Sequence, residues 1–145
     1  VLYLLDTNIL VHLIRRDGMG EYIRNTYAPF LIEPKPLISA VSGGELRSLA
    51  YQWKWGEQRR EERSFALDYF GQVPVGKPEI QEAYAVVDSY CESIGQPMGK
   101  NDVWIAAVAF DTGATLLTTD KDFDRLQPNF ITRIWIDPHR DRKPS

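Results

Sequence analysis

The chain has 145 residues, 43% apolar and 26% charged, which is the make-up of one globular domain with a sizeable core rather than a disordered or fibrous chain. Its net charge of −3 excludes a globally basic nucleic-acid binder, so any such partner must be met by a local patch or through metal ions. The single cysteine, Cys91, excludes an internal disulfide or a cysteine-built metal site and fits a reducing cytoplasmic setting, and no apolar run reaches membrane-spanning length.

The opening "VLYLL" (1–5) is short and continuously apolar, as a strand buried on both faces would be. Without a basic region or a cleavage site, it is not read as a signal peptide. Asp6-Thr7-Asn8 can cap a helix over "ILVHLIRR", which Gly18 and Gly20 are expected to break. "EYIRNTYAPF" reads as a second helix, stopped by Pro29. "PLISAV" (36–41) reads as a strand, and Ser42 as the cap of a helix carrying Glu45 in its first turn. Leu46, Leu49, Ala50 and Trp53 form that helix's apolar face. The segment 54–70 is charged in its first half and apolar in its second, like a helical arm that starts in solvent and ends on the body. "QVPV" is a short strand or connector. "PEIQEAYAVVDSYCESIG" (78–95) has Pro near its start and Gly at its end, the signature of a helix. "NDVWIAAVAFDTG" (101–113) is another helix, while "ATLLTT" (114–119) and "ITRIWI" (131–136) are strands. One domain is expected over 1–137, followed by a frayed polar tail over 138–145.

Strands alternating with helices imply a parallel sheet covered on both faces, with ligands beyond the carboxyl ends of the strands. Asp6 and Asp120 each follow a predicted core strand, so both emerge at one sheet end. Asp102 lies one turn ahead of Ile105, Ala106 and Ala109, which places it on the buried face of its helix, at the N-terminal end. Glu45 borders an apolar stripe at another helix start. Taken singly, each acid also fits a cap, a turn or a favourable first-turn charge. Asp122 and Asp124 fit solvated first-turn acids. Jointly, Asp6, Glu45, Asp102 and Asp120 can converge on one pocket.

Converging carboxylates repel by on the order of 4 kcal/mol per pair at 4 Å and an effective dielectric of 20. Either protons stay on, or cations sit between them. With no His-rich or Cys-rich set nearby, an all-oxygen site selects a hard cation, Mg²⁺ or Mn²⁺. Such a site is suited to phosphodiester cleavage by a metal-activated water, without a covalent nucleophile.

Four stretches, "LLDTNIL" (4–10), "SGGEL" (42–46), "NDVWIAAVAF" (101–110) and "LLTTDKDF" (116–123), resemble in order the acidic motifs of PIN-domain ribonucleases, most closely the VapC-type toxins of toxin–antitoxin pairs. The resemblance covers nearly the whole chain. It implies an α/β, PIN-like three-layer fold with a parallel central sheet of about 4–5 strands, helices on both faces and a Mg²⁺- or Mn²⁺-dependent endoribonuclease site. By motif position, Asp6, Glu45, Asp102 and Asp120 would be the catalytic, metal-ligating acids. Thr7, Asn8 and Thr118 would support them, with Asp122 a further, secondary acid at the rim and Asp124 facing water. Gly43-Gly44 depart from the pattern, where a larger residue is common before the Glu, and the charged arm at 54–63 is long. The resemblance further implies an RNA substrate, a VapB-type antitoxin as partner, and a homodimer.

An acidic protein that cuts RNA must offset phosphate repulsion locally. Arg47, Lys54, Arg59, Arg60 and Arg63 can form a basic rim, with Trp53 and Trp55 stacking on unpaired bases and Lys100 touching a phosphate. The same arm also reads as a solvated helix laced with Glu57–Arg60 and Arg59–Glu62 pairs. His12 reads as packed and His139 as inert. Ile9, Leu13, Tyr22 and Tyr27 fit an antitoxin groove, a homodimer surface or plain core. Two other classes compete. One is a non-catalytic PIN-like RNA-binding or scaffold protein, whose signature would be lost acids. The other is a receiver domain or aspartyl phosphatase, which "QVPVGK" and Asn8 disfavour because neither supplies the required Asp.

Overall fold

The computed structural model describes residues 1–140. Its elements run in the order β1 (Tyr3–Leu5), α1 (Thr7–Arg15), α2 (Gly18–Tyr27), β2 (Leu37–Ser39), α3 (Ala40–Gln52), α4 (Glu57–Tyr69), β3 (Gly71–Val73), α5 (Pro78–Ser93), α6 (Lys100–Thr112), β4 (Thr115–Thr118), a 3₁₀ helix (Lys121–Leu126) and β5 (Thr132–Trp135). The five strands form one parallel sheet in the order β3-β2-β1-β4-β5. The chain builds outward from β1 to β3 on one side, then returns to place β4 on the other side of β1. That reversal makes the β1–β4 boundary a switch point, where a crevice opens at the carboxyl ends of the strands.

Strand residues alternate between the faces, which is why continuously apolar strands have partners on both sides. Leu4 and Leu116 are buried with Ile80, Val87, Ile105 and Phe123, beneath α5, α6 and the 3₁₀ helix. Leu5 and Leu117 are buried with Ile9, Leu13, Ile23, Leu46 and Leu67, beneath α1 to α4. Ile9 and Leu13 are thus core, and of the four residues considered for a partner groove only Tyr22 and Tyr27 are partly exposed.

Several boundaries differ from the sequence expectation. Gly18 and Gly20 begin α2 rather than break the chain, because Asp17 caps it by accepting from the Gly20 amide at 2.8 Å. Gly20 also packs against the carbonyl of His12, where a Cβ would collide with backbone. The strand expected over 36–41 stops at Ser39, whose hydroxyl accepts from the Val41 amide at 3.2 Å and starts α3 three residues early. Ser42 is therefore inside a helix, and Glu45 stands in its second turn rather than its first. Ser39→Ala is expected to cost about 1 kcal/mol, the usual loss for a capping hydroxyl, seen as a lower urea midpoint with an unchanged slope.

Within the polar tail, the Arg140 guanidinium carbon lies 3.5 Å from the ring centroid of Tyr22 on α2. Residues 141–145 lie outside the described residues. Among the described residues, no helix is long and apolar enough to cross a membrane.

Candidate active site

The crevice at the β1–β4 boundary gathers the predicted acids. Asp6 follows β1, donates its amide to the Leu117 carbonyl at 3.1 Å, and is 4% exposed. It is both the cap of α1 and a wall of the pocket. Its Oδ1 accepts from the Thr7 amide at 2.7 Å, and its Oδ2 accepts from the Thr118 hydroxyl at 2.7 Å. Thr118 Oγ1 accepts in turn from the Asp120 amide at 3.0 Å, so one buried hydroxyl ties the acid after β1 to the loop after β4. Thr7 carries the tie to α3: its hydroxyl donates to Glu45 Oε1 at 2.7 Å. Asp102 enters from the first turn of α6.

Asp6, Thr7, Asn8, Glu45, Asp102 and Asp120 line one open-mouthed pocket of about 510 Å³, within the size range of small-ligand sites. Ser48, Gln52 and Asn101 complete much of its polar wall. Among the described residues, no Lys or Arg nitrogen approaches the carboxylates of Asp6, Glu45, Asp102 or Asp120 closely enough for an ion pair. Burial pushes the Asp6 carboxyl up to about 6, against the pull of its Thr118 and Thr7 hydrogen bonds, with the Asp120 and Glu45 charges adding to the rise. Burial also pushes Asp102 up to about 7, reinforced by Asp6, Asp120, Glu45 and Asp122.

Asp102, Asp120 and Asp122 each place a carboxylate oxygen within 4.8 Å of the others, close enough to share one ion. Asp122 reaches this cluster from an exposed position at the rim. Asp120 caps the 3₁₀ helix by accepting from the Asp122 amide at 2.8 Å. Asp122 also sits 3.6 Å from Arg125. Asp124 is exposed, and it also accepts from Arg133 at 2.8 Å.

The predicted basic residues fall in three places. Lys100 borders a groove that shares Glu45, Asn101 and Asp102 with the acidic pocket, and its ammonium lies 3.6 Å from Asp88. The arm lies apart from that pocket. Within it, Arg60 donates to the Trp55 carbonyl and stacks on Tyr51, and Arg63 is half-buried, while Arg47, on α3, donates to the Gly43 carbonyl. Lys54 and Arg59 are exposed, and Arg59 lines a small hollow with Arg15, Trp53 and Trp55. Glu62 pairs with Arg16 at 3.1 Å rather than with Arg59. The expected pair of stacking tryptophans is half right. Trp53 is 49% exposed, but Trp55 is 4% exposed and packs in the core, which removes it as a base-stacking surface. His12 bonds Asp17 at 2.8 Å, a helix-joining contact away from the acids.

The sequence profile described as PIN domain matches residues 3–127. This chain belongs to the PIN domain family. Within that family, the PIN-domain chain is 28% identical over 130 residues to a protein named Ribonuclease VapC1 from Haemophilus influenzae strain R2866, covering 87% of this chain and 92% of that one. Solved structures share the fold. VapBC-1 from nontypeable Haemophilus influenzae matches with a TM-score of 0.76 at 24% identity, covering 93% of this chain and 98% of that one. VapBC2 from Rickettsia felis, bound to a DNA fragment from its promoter, matches with a TM-score of 0.75 at 23% identity, covering 92% and 98%. FitAcB from Neisseria gonorrhoeae matches with a TM-score of 0.73 at 25% identity, covering 92% and 96%. The receiver and phosphatase alternatives are thereby set aside. The five-stranded parallel sheet is the fold that the four acidic motifs implied.

Proposed function

We propose that this PIN-domain chain is a divalent-metal-dependent endoribonuclease of the VapC kind, with Asp6, Glu45, Asp102 and Asp120 as its essential acids and Asp122 beside them. The observation that carries the reading is the convergence of these carboxylates from β1, α3, α6 and the turn after β4, with no basic side chain among the described residues to neutralise the first four. A structural cluster of that kind would be self-defeating, whereas a binding site for Mg²⁺ or Mn²⁺ explains it. The donor set fits such an ion: oxygen ligands only, three of them within 4.8 Å of one another. When bound, the ion supplies a Lewis acid that makes water a competent nucleophile at neutral pH and offsets charge on the phosphate.

The remaining work falls to the chain. Thr118 and the Thr7 amide hold Asp6 in one orientation, and Thr7 holds Glu45. Asn8, Gln52 and Asn101 offer amide groups along the pocket wall to sugar and base edges. Lys100, which borders the groove that also carries Glu45 and Asp102, is the residue this reading assigns to a backbone phosphate. The retention of all four acids weighs against a non-catalytic PIN-like scaffold. The VapBC complexes among the structural neighbours support a VapB-type antitoxin as partner; a homodimeric toxin acting in the cytoplasm belongs to the same reading.

Incubation with a pool of cellular RNA, with and without Mg²⁺, tests the reading. New RNA ends are expected with the ion and none after chelation. RNA that is bound but left intact under both conditions would sink the proposal.

A further inference from the structure

We propose that Ser42 is a positioning residue for Glu45 and acts through the hydroxyl of Thr7; the inference rests on the metal-dependent nuclease reading above. Ser42 is fully buried and sits one helical turn before Glu45 on the same face of α3. Its Oγ lies 2.8 Å from Thr7 Oγ1, which is itself 2.7 Å from Glu45 Oε1. The direction of this chain follows from proton counting. A carboxylate accepts only, so Thr7 spends its single hydroxyl proton on Glu45. The Ser42–Thr7 contact must then run from Ser42 to Thr7.

Ser42 thereby fixes the rotor of Thr7, and the Thr7 proton is held pointing at Glu45. Glu is a long side chain with several rotatable bonds, and left alone it would lose that freedom only on gathering around an ion. The bond at Oε1 fixes the carboxylate in advance and leaves Oε2 available. An ordinary role for a serine inside a helix is to bond back to its own preceding turn. Ser42 instead reaches across to α1, at the residue that follows Asp6. Its hydroxyl links α3 to the start of α1, as Thr118 links β4 to the end of β1.

The test is Mn²⁺ binding to the intact chain, measured by titration calorimetry without RNA, alongside RNA cleavage across a Mn²⁺ titration. Ser42→Ala is expected to weaken Mn²⁺ binding about 10-fold, the range for residues that orient a ligand. Cleavage should shift to higher Mn²⁺ while the rate at saturation is largely kept. Thr7→Val should weaken binding at least as much, and the double variant should be no weaker than Thr7→Val alone, because the two hydroxyls act in series. Should Ser42→Ala not fold, Ser42→Cys, close in shape but a far weaker donor, carries the same comparison. Wild-type affinity in the folded Ser42 variant, or losses that simply add in the double variant, would overturn the proposal while leaving the nuclease reading intact. A wild-type chain that binds no Mn²⁺ overturns both.

Discussion

Asp102→Asn is expected to remove RNA cleavage and, in the same molecule, to stabilise the fold in the absence of divalent ions. The two effects have one origin. Asp102 opens α6 at the mouth of the crevice, where burial and the charges of Asp6, Asp120, Glu45 and Asp122 all disfavour its ionised form. An ion drawn to the cluster reverses that balance, because its charge favours every carboxylate around it. The amide keeps the shape and removes the charge. Losing a residue that merely orients a metal ligand costs 10- to 100-fold, so a loss of at least about 100-fold is expected for a ligand itself. The metal-free variant should gain about 1 kcal/mol at pH 8, a modest value because the side chain is only half-buried and water screens its neighbours. That is a rise in melting temperature of about 3 °C. Asp124→Asn is the control. It removes an equal charge from a carboxylate held by Arg133, and cleavage should be unchanged. If Asp102→Asn cuts RNA at the wild-type rate, Asp102 has no place in the chemistry.

Much of this site could be read from the chain because strands announce their own ends. Leu4-Leu5-Asp6 and Leu116-Leu117-Thr118 run apolar until the sheet stops, and the first acids beyond mark the pocket. Asp102 was legible from the same logic applied to a helix, since Ile105, Ala106 and Ala109 define the buried face it shares. What escaped depends on where helices begin and how turns bend. "SAVS" suits a strand or a helix, and only the cap bond of Ser39 decides that α3 starts early enough to carry Ser42 inward. The two tryptophans exchange their expected likeness for a similar reason. Helix α3 ends at Gln52, and Lys54 takes a left-handed conformation at φ 52°, which leaves Trp53 outside and sends Trp55 into the core. In both cases one capping bond or one dihedral angle, invisible to composition and periodicity, decided which way a side chain faces.

The chain stripped of divalent ions is expected to lose stability as pH rises from about 4 to 7, the reverse of a protein whose carboxylates are paired. Asp6 rises from 3.8 to about 6 on folding, and Asp102 from 3.8 to about 7. Across that window the unfolded chain gives up protons that the folded chain keeps, so the folded state binds more and stability falls with pH. Asp6, almost fully buried, accounts for about 3 kcal/mol of the fall, at 1.36 kcal/mol per pKa unit. Asp102 adds a smaller, solvent-screened share. Above the folded values both acids are ionised in both states, and the curve levels. Divalent ions should invert this behaviour, because they bind the deprotonated carboxylates and compete with protons for them. Mn²⁺ at about 100 times its dissociation constant should add about 2.7 kcal/mol at pH 8. The same concentration should add far less at pH 5, where protons occupy the site. Urea unfolding at pH 5 and pH 8, with chelator and with Mn²⁺, measures all four corners. A metal-free stability that stays flat from pH 4 to 7 would mean that folding does not raise these two carboxyls, and an equal Mn²⁺ increment at both pH values would mean that they do not gather around a cation.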